Sequence, residues 1–249
     1  MRLLRFPLML AGVLLLSSCD EETVAIPEAS SLEPSDTLFV NVPGGTFTNS
    51  RGETVTVEPF QMLKSEVNNR LYRYLADASG ISHPPDPGFS GEDHWFYDSL
   101  THPVVNVSPA RARKAASTIG CILPTRNQWE YAASMGLTGD ISHQFPWGEL
   151  SPPEVPGIPA NYMALNLWEE RALDGYAYTS PCGSYPLSAG GFQDLAGNVA
   201  EMVVCERDST VNLMGGSWAQ ADEAMMLGFV RDIQDGDICW YAGFRLVRQ

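Results

Sequence analysis

Apolar positions alternate from Leu38 to Phe47 and the run breaks on Gly44-Gly45, a pattern that predicts a strand followed by a turn. Between Lys64 and Ser79 the spacing changes to helical. Val67, Leu71, Tyr74 and Leu75 fall on one face, Ser65 is placed to cap the helix, and Gly80 to end it. Residues 82–100 are rich in Pro, Gly and Asp, with Trp95, Phe96 and Tyr97 at their centre, and read as a long loop pinned by aromatics. His102 to Ser108 reads as a short strand. Ser108-Pro109 then opens a helix to about Ile119, with proline at the first helical position, where its missing N–H is no loss. Thr125-x-x-Gln128 fits a capping box for another helix, whose buried stripe is Trp129, Ala132 and Ala133 and which Gly136 can end.

From about residue 137 onward, Gly, Pro and aromatics dominate with little periodicity, which predicts a loop-rich α+β domain of short strands and few helices. The N-terminus differs. Arg2 and Arg5 precede the apolar stretch Leu8 to Leu16, too short to span a bilayer, and Leu16-Ser17-Ser18-Cys19 looks like a bacterial lipobox. Residues 1–18 are therefore expected to be a lipoprotein signal and Cys19 a lipidated anchor, stable when several acyl chains insert. An ordinary secretory signal with a chance cysteine is the alternative. Residues 19–36 carry too few bulky apolar groups to fold and read as an acidic tether, leaving 37–249 as one domain.

The formal charge is −15; without the two arginines of the signal it becomes −17. Such a surface repels nucleic acid and anionic headgroups, so no nucleic-acid partner is expected. Beyond Cys19 the cysteines are Cys121, Cys182, Cys205 and Cys239, which permit two disulfides in an exported protein but form no CxxC. The histidines at 83, 94, 102 and 143 form no HxH or HExxH pattern, and no GxxxxGK[ST] phosphate loop is present.

Two segments are rich in oxygen donors: Asn161-Tyr162 with Asp174-Gly175-Tyr176, and Asp194-x-x-Gly197-x-Val199-x-Glu201. Alternating side-chain and carbonyl donors in tight turns suit a hard cation such as Ca²⁺. Asx-turns and a buried glutamate accepting N–H bonds explain the same residues without metal.

Eight motifs in order resemble the formylglycine-generating-enzyme, or sulfatase-modifying-factor, family. They are Pro43-Gly-Gly-Thr-Phe47, Phe60-x-Met-x-Lys-x-Glu-Val-Asn-Asn-x-x-Tyr72, His102-Pro-Val-Val-Asn-Val-Ser108, Leu123-Pro-Thr-x-x-x-Trp-Glu-Tyr-Ala-Ala133, Phe145-Pro-Trp-Gly148, Gly191 to Glu201, Gly215-Gly-Ser-Trp218 and Gly243-Phe-Arg-Leu-Val247. The resemblance implies a fold similar to C-type lectins and two structural calcium ions. Asn161 and Asp174 would give side chains to one ion, with Tyr162 and Tyr176 giving carbonyls. Asp194 and Glu201 would give side chains to the other, with Gly197 and Val199 giving carbonyls. The family's oxidases hold Cu(I) between two cysteines and convert the cysteine of a Cys-x-Pro-x-Arg segment to formylglycine. Here the matching positions are Gln220 and Met225; an amide is no thiolate and a thioether is a weak donor, so copper is not expected and no catalytic residue is assigned. Ala200 and Met202 also stand where the family often has tryptophans.

These readings point to a calcium-stabilised lipoprotein of the cell envelope, periplasmic or surface-facing, held to the membrane by lipid and engaged in binding or envelope assembly. Its groove would take a protein or peptide partner through residues 219–242, with Asp222, Glu223, Arg231, Trp240 and Tyr241 among the lining and Trp218 and Arg245 at the border. The rival is a formylglycine-generating or other oxidase with an altered site.

Overall fold

The computed structural model describes residues 38–163 and 174–249. The expectations for the signal, Cys19 and the tether lie outside the described residues. The elements run β1 (Phe39–Val42), β2 (Gly45–Thr48), β3 (Thr54–Val57), β4 (Phe60–Leu63), α1 (Asn69–Ser79), α2 (Trp95–Asp98), α3 (Pro109–Ser117), α4 (Arg126–Ala133), β5 (Ala200–Val204), β6 (Val211–Met214), β7 (Arg231–Ile233), β8 (Ala242–Gly243) and β9 (Val247–Arg248). Strands β1, β4 and β9 form one sheet with β4 in the middle, so the first and last strands of the domain meet on the same neighbour. β2 and β3 form a two-stranded ribbon. The third sheet has the order β7-β6-β5-β8, in which β8 runs parallel to β5 and sets Glu201 beside Gly243.

α3 and α4 follow the local signals. The Ser108 hydroxyl accepts from the Arg111 amide with Pro109 at the first position, and Thr125 and Gln128 form the reciprocal capping box. Trp129, Ala132 and Ala133 are fully buried. α1 starts later than its periodicity suggests. Val67 is held extended, its amide donating to the Phe244 carbonyl and its carbonyl accepting from Val104, so Asn68 rather than Ser65 caps the helix by accepting from Leu71 N at 2.8 Å. The buried face is consequently Tyr72, Leu75 and Ala76, while Leu71 and Tyr74 are half-buried. Gly80 ends the helix in the left-handed region as expected.

Two loops depart from the sequence reading. Residues 102–108 are not a strand: Asn106 is left-handed (φ 57°) and the only ladder contact is a bridge from Pro103 to Asn68. The segment 82–100 contains the short helix α2, which buries Trp95 and Phe96 and leaves Tyr97 exposed.

One core lies between α1, α3 and the four-stranded sheet and includes Tyr72, Leu75, Ala112, Met202 and Phe244. Met202, at a position where tryptophan was the family expectation, is fully buried there. A second core surrounds Trp129 with Met62, Phe192, Val203 and Met214. The four described cysteines are free thiols, so no disulfide forms among them. They sit apart: Cys121 in the first core, Cys182 against Glu66, Cys205 in the β5–β6 turn and Cys239 beside Tyr241.

Candidate functional site

Three remote pieces of chain meet where β5 leaves the Gly191–Val199 loop. Gly197 is left-handed (φ 76°), and a side chain there would bring its Cβ to 2.3 Å from the Asn161 carbonyl. That carbonyl accepts from the Asn198 amide at 2.8 Å, the Gly197 amide donates to Gly215 O at 2.8 Å, and the Trp218 amide donates to Asn198 O at 3.0 Å. The two oxygen-rich segments and the Gly-Gly-Ser-Trp turn are thus one packed unit.

Under this unit lies a buried charge centre. Arg245 is completely buried and Glu201 is 1% exposed. Arg245 Nη2 donates to Glu201 Oε1 at 2.5 Å and Nε to Oε2 at 2.6 Å; Trp129 Nε1 adds a third bond to Oε2 at 2.8 Å. The rest of the guanidinium serves backbone: Nη1 donates to Leu63 O at 3.1 Å and Lys64 O at 3.2 Å, and Nη2 to Gln193 O at 3.0 Å. All five N–H groups of the side chain have acceptors in this arrangement. Arg245 therefore staples β4, the Gln193 loop and β5, and it is not a border residue of any groove. That corrects the sequence reading; the parallel β5–β8 pairing carries Arg245 inward over Glu201.

Glu66 and Asp194 stand next to this pair. Glu66 Oε1 accepts from Asn198 Nδ2 at 2.9 Å, and Asp194 Oδ2 accepts from the Gly183 amide at 2.5 Å. Burial, then the neighbouring Asp194 carboxylate, push the Glu66 carboxyl well up from its ordinary value. Burial raises Asp194 as well. Burial and the two carboxylates hold the Cys182 thiol far above the usual thiol range, which keeps it protonated and unreactive.

The expected ligands are distributed unevenly. In the first set Asn161 Nδ2 donates to Tyr178 O at 2.7 Å, leaving its Oδ1 as the acceptor. Asp174 accepts from the Tyr176 amide at 3.0 Å and the Tyr185 hydroxyl at 2.5 Å. Each Asp174 oxygen keeps a second lone pair and can accept further. In the second set Glu201 pairs with Arg245 and Trp129, and the Asp194 carboxyl lies against that of Glu66. Glu201 Oε1 accepts only from Arg245 and, like each Asp174 oxygen, keeps a second lone pair. Sequence reasoning missed Glu66 here; its place in the Lys-x-Glu-Val-Asn motif was the available signal.

The two copper-matching positions are engaged elsewhere in the fold. Gln220 Oε1 accepts from the Ser217 hydroxyl at 2.9 Å, and Met225 is fully buried against Phe145, Ala160 and Ala196. Of the expected groove, Trp240 is exposed, with its ring centroid 5.1 Å from that of half-buried Trp218 and 5.3 Å from that of Tyr241. Phe89 continues this aromatic wall, stacked on Tyr178 at 4.2 Å and edge-on to Trp218 at 5.6 Å. Arg231 and Glu223 are exposed, and Asp222 is raised by burial and by its neighbour Glu223. Phe89 and Tyr178 were not in the expected groove, because nothing local in either segment marks them as neighbours of Trp218.

The family described as "Sulfatase-modifying factor enzyme 1-like domain" matches residues 25–249. The chain belongs to this family. Inactive C-alpha-formylglycine-generating enzyme 2 of Mus musculus is 33% identical over a 243-residue alignment that covers 74% of this chain and 75% of the mouse protein. The Bos taurus protein of the same name is 34% identical over 141 residues, 52% of this chain and 42% of its own length. Formylglycine-generating enzyme of Mycobacterium tuberculosis is 36% identical over 123 residues, 47% of this chain and 38% of its own length. The chain thus spans less than half the length of these last two relatives. Among solved structures, PvdO from Pseudomonas aeruginosa superposes with a TM-score of 0.66 at 22% identity, covering 85% of this chain and 94% of its own. CarF superposes with a TM-score of 0.65 at 20% identity, covering 84% and 97%. These structures bear out the expected loop-rich α+β, sulfatase-modifying-factor fold.

Proposed function

We propose that this chain is a lipid-anchored envelope protein whose domain binds a protein or peptide partner and does not carry out copper-dependent oxidation. The observation that carries the reading is the pair Gln220 and Met225: one is tied to Ser217 and the other sealed in a core, so neither offers a thiolate to Cu(I). The aromatic wall of Trp218, Trp240 and Tyr241 is the binding surface, since exposed tryptophan and tyrosine anchor interfaces at low entropic cost. Calcium braces the irregular backbone at Asn161/Asp174 and beside Asp194, and acylation of Cys19 holds the domain at the membrane. Relatives named as inactive formylglycine-generating enzymes are consistent with a scaffold kept after its oxidase chemistry is lost.

The test is to incubate the purified chain with Cu(I) and a Cys-x-Pro-x-Arg peptide under oxygen, then weigh the peptide and measure bound copper. No change of peptide mass and no stoichiometric copper are expected; formylglycine product would overturn the reading. The alternative, an oxidase with an altered site, draws support from the half-buried Cys239 thiol beside Tyr241 at the edge of the same wall. Burial raises that thiol above its ordinary value, which disfavours the thiolate such chemistry needs.

A further inference from the structure

A second apolar surface lies outside the aromatic wall. A cavity of about 230 Å³ is walled by Trp147, Ile158, Pro159, Pro186, Leu187 and Phe192, none of which belongs to that wall. Its one charged lining residue, Asp194, is 5% exposed and accepts from the Gly183 amide, so an occupant meets an almost wholly apolar surface. Among the described residues eight large apolar side chains are exposed, and three of them gather here. Ile158 and Leu187 are in the lining, and the Leu150 carbonyl accepts from Trp147 Nε1 at 2.9 Å. Such a cluster leaves apolar area in water that an occupant can cover.

The start of the domain lies beside this cavity. Leu38 O accepts from the Lys64 amide at 2.9 Å, and Lys64 O accepts from the amide of Gln193, the neighbour of Phe192, at 2.8 Å. A side chain at Gly191 would bring its Cβ to 3.9 Å from Val40 Cγ1. The chain before Leu38 therefore enters the domain next to Phe192. In residues 20–37 the bulky apolar residues are Val24, Ile26 and Leu32, and Glu21-Glu22 and Glu28 bound the run Val24-Ala25-Ile26-Pro27. In an extended segment Val24 and Ile26 share one face, and Pro27 disfavours helix at Ile26. Residues 28–37 join Pro27 to Leu38. A flexible chain of that length spans about 17 Å, and about 35 Å when extended. So short a joint gives the run an effective concentration in the millimolar range at the cavity, and it fills a weak apolar site ahead of a dilute partner.

We propose that residues 24–27 of this chain dock into the cavity, with Val24 and Ile26 against Trp147, Ile158 and Leu187. The acidic residues on either side stay in water and limit the docked run to these four residues. Docking closes residues 28–37 into a loop and shortens the free tether to the few residues before Val24. It requires neither calcium nor a partner on the aromatic wall, and both readings of the N-terminal signal leave residues 20–37 on the domain.

The experiment uses the full chain in phosphatidylcholine vesicles, with a benzoylphenylalanine photoprobe at Leu187, which is 54% exposed. Ordinary and ¹⁵N-labelled chains are mixed in equal amounts, irradiated and digested, and the cross-linked peptides are identified by mass. Cross-links within one chain to residues 20–30 are expected. Ile26→Asp should lower their yield by about fivefold or more, because an unpaired carboxylate resists burial in an apolar site. Leu32→Asp, outside the run, should leave the yield unchanged. A photoprobe at exposed Ile158 gives the same reading if the chain probed at Leu187 does not fold. Cross-links of mixed isotope would assign the cavity to a second copy and overturn the proposal. Cross-links to residues 164–173, to lipid or to no peptide would overturn it too, as would an undiminished yield in Ile26→Asp.

Discussion

Replacing Arg245 by methionine tests the claim that this side chain is a structural staple. The substitution keeps an unbranched side chain but deletes five N–H donors. It leaves Glu201, 1% exposed, with only the Trp129 indole as a partner, and strips a donor from the carbonyls of Leu63, Lys64 and Gln193. Removing one member of a buried ion pair costs about 3–5 kcal/mol, because the partner stays buried and unpaired. A domain of this size has about 5–15 kcal/mol in total, so Arg245→Met is expected to remove about a fifth or more of it. Glu201→Gln relieves the orphaned charge, so the double variant Arg245→Met/Glu201→Gln should be less destabilised than the two single losses added together, with a coupling of about 1–3 kcal/mol. The assay is urea unfolding followed by tryptophan fluorescence at neutral pH, taking free energies from midpoints at constant slope. A loss below about 1 kcal/mol for Arg245→Met, or strict additivity in the double variant, would refute the reasoning, since an exposed pair behaves that way and a buried one does not.

Asn68→Ala should cost about 1 kcal/mol through the lost cap on α1, while Ser65→Ala should be near neutral; a reversed order in thermal melts would place the helix start where the periodicity alone suggested. Tyr72 is fully buried, its hydroxyl has no partner among the described residues, and burial pushes its ionisation up to about 12 from 10.0. The folded chain keeps that proton after the unfolded chain has lost it, so stability should fall as pH rises from 10.0 toward about 12. Tyr72→Phe should leave stability at pH 7 unchanged or higher by up to about 1 kcal/mol and flatten that alkaline decline, because the edge-on contacts with Phe96 and Phe244 survive; a clear loss at pH 7 would show a partner for the hydroxyl.

What the sequence revealed follows the range of the deciding interaction. Helices α3 and α4 were legible because Ser108-Pro109 and Thr125/Gln128 satisfy their helix ends within four residues. The start of α1 was not, because Ser65 and Asn68 are both competent caps and the choice falls to Val67 pairing with Phe244 and Val104, far along the chain. Residues 102–108 carry the β-branched composition of a strand, yet Asn106 turns left-handed and no neighbouring strand runs alongside. At the site, Asp194 and Glu201 were named from their motif, but the pairing of Glu201 with Arg245, 44 residues away, was not. Arg245 itself looked like a groove residue for the same reason: a buried arginine can be recognised only once five acceptors from distant segments surround it.

The arrangement also explains how this scaffold persists without the copper pair. The bonds that hold the centre run from Arg245 and Glu201 to Trp129, β4 and the Gln193 loop, and none passes through Gln220 or Met225. The Gln220 side chain bonds to Ser217 and Met225 packs with Phe145, Ala160 and Ala196, so neither side chain supplies a bond of the brace. Trp218, by contrast, is tied to the loop that leads into β5: its amide bonds to Asn198, whose side chain bonds to Glu66 and to the Ser180 amide. The aromatic wall is thus positioned by the structural centre, while Gln220 and Met225 lie outside that set of bonds. A fold in which the surface site hangs on the core but the core does not depend on the site tolerates change at that site, so fold alone does not assign its chemistry.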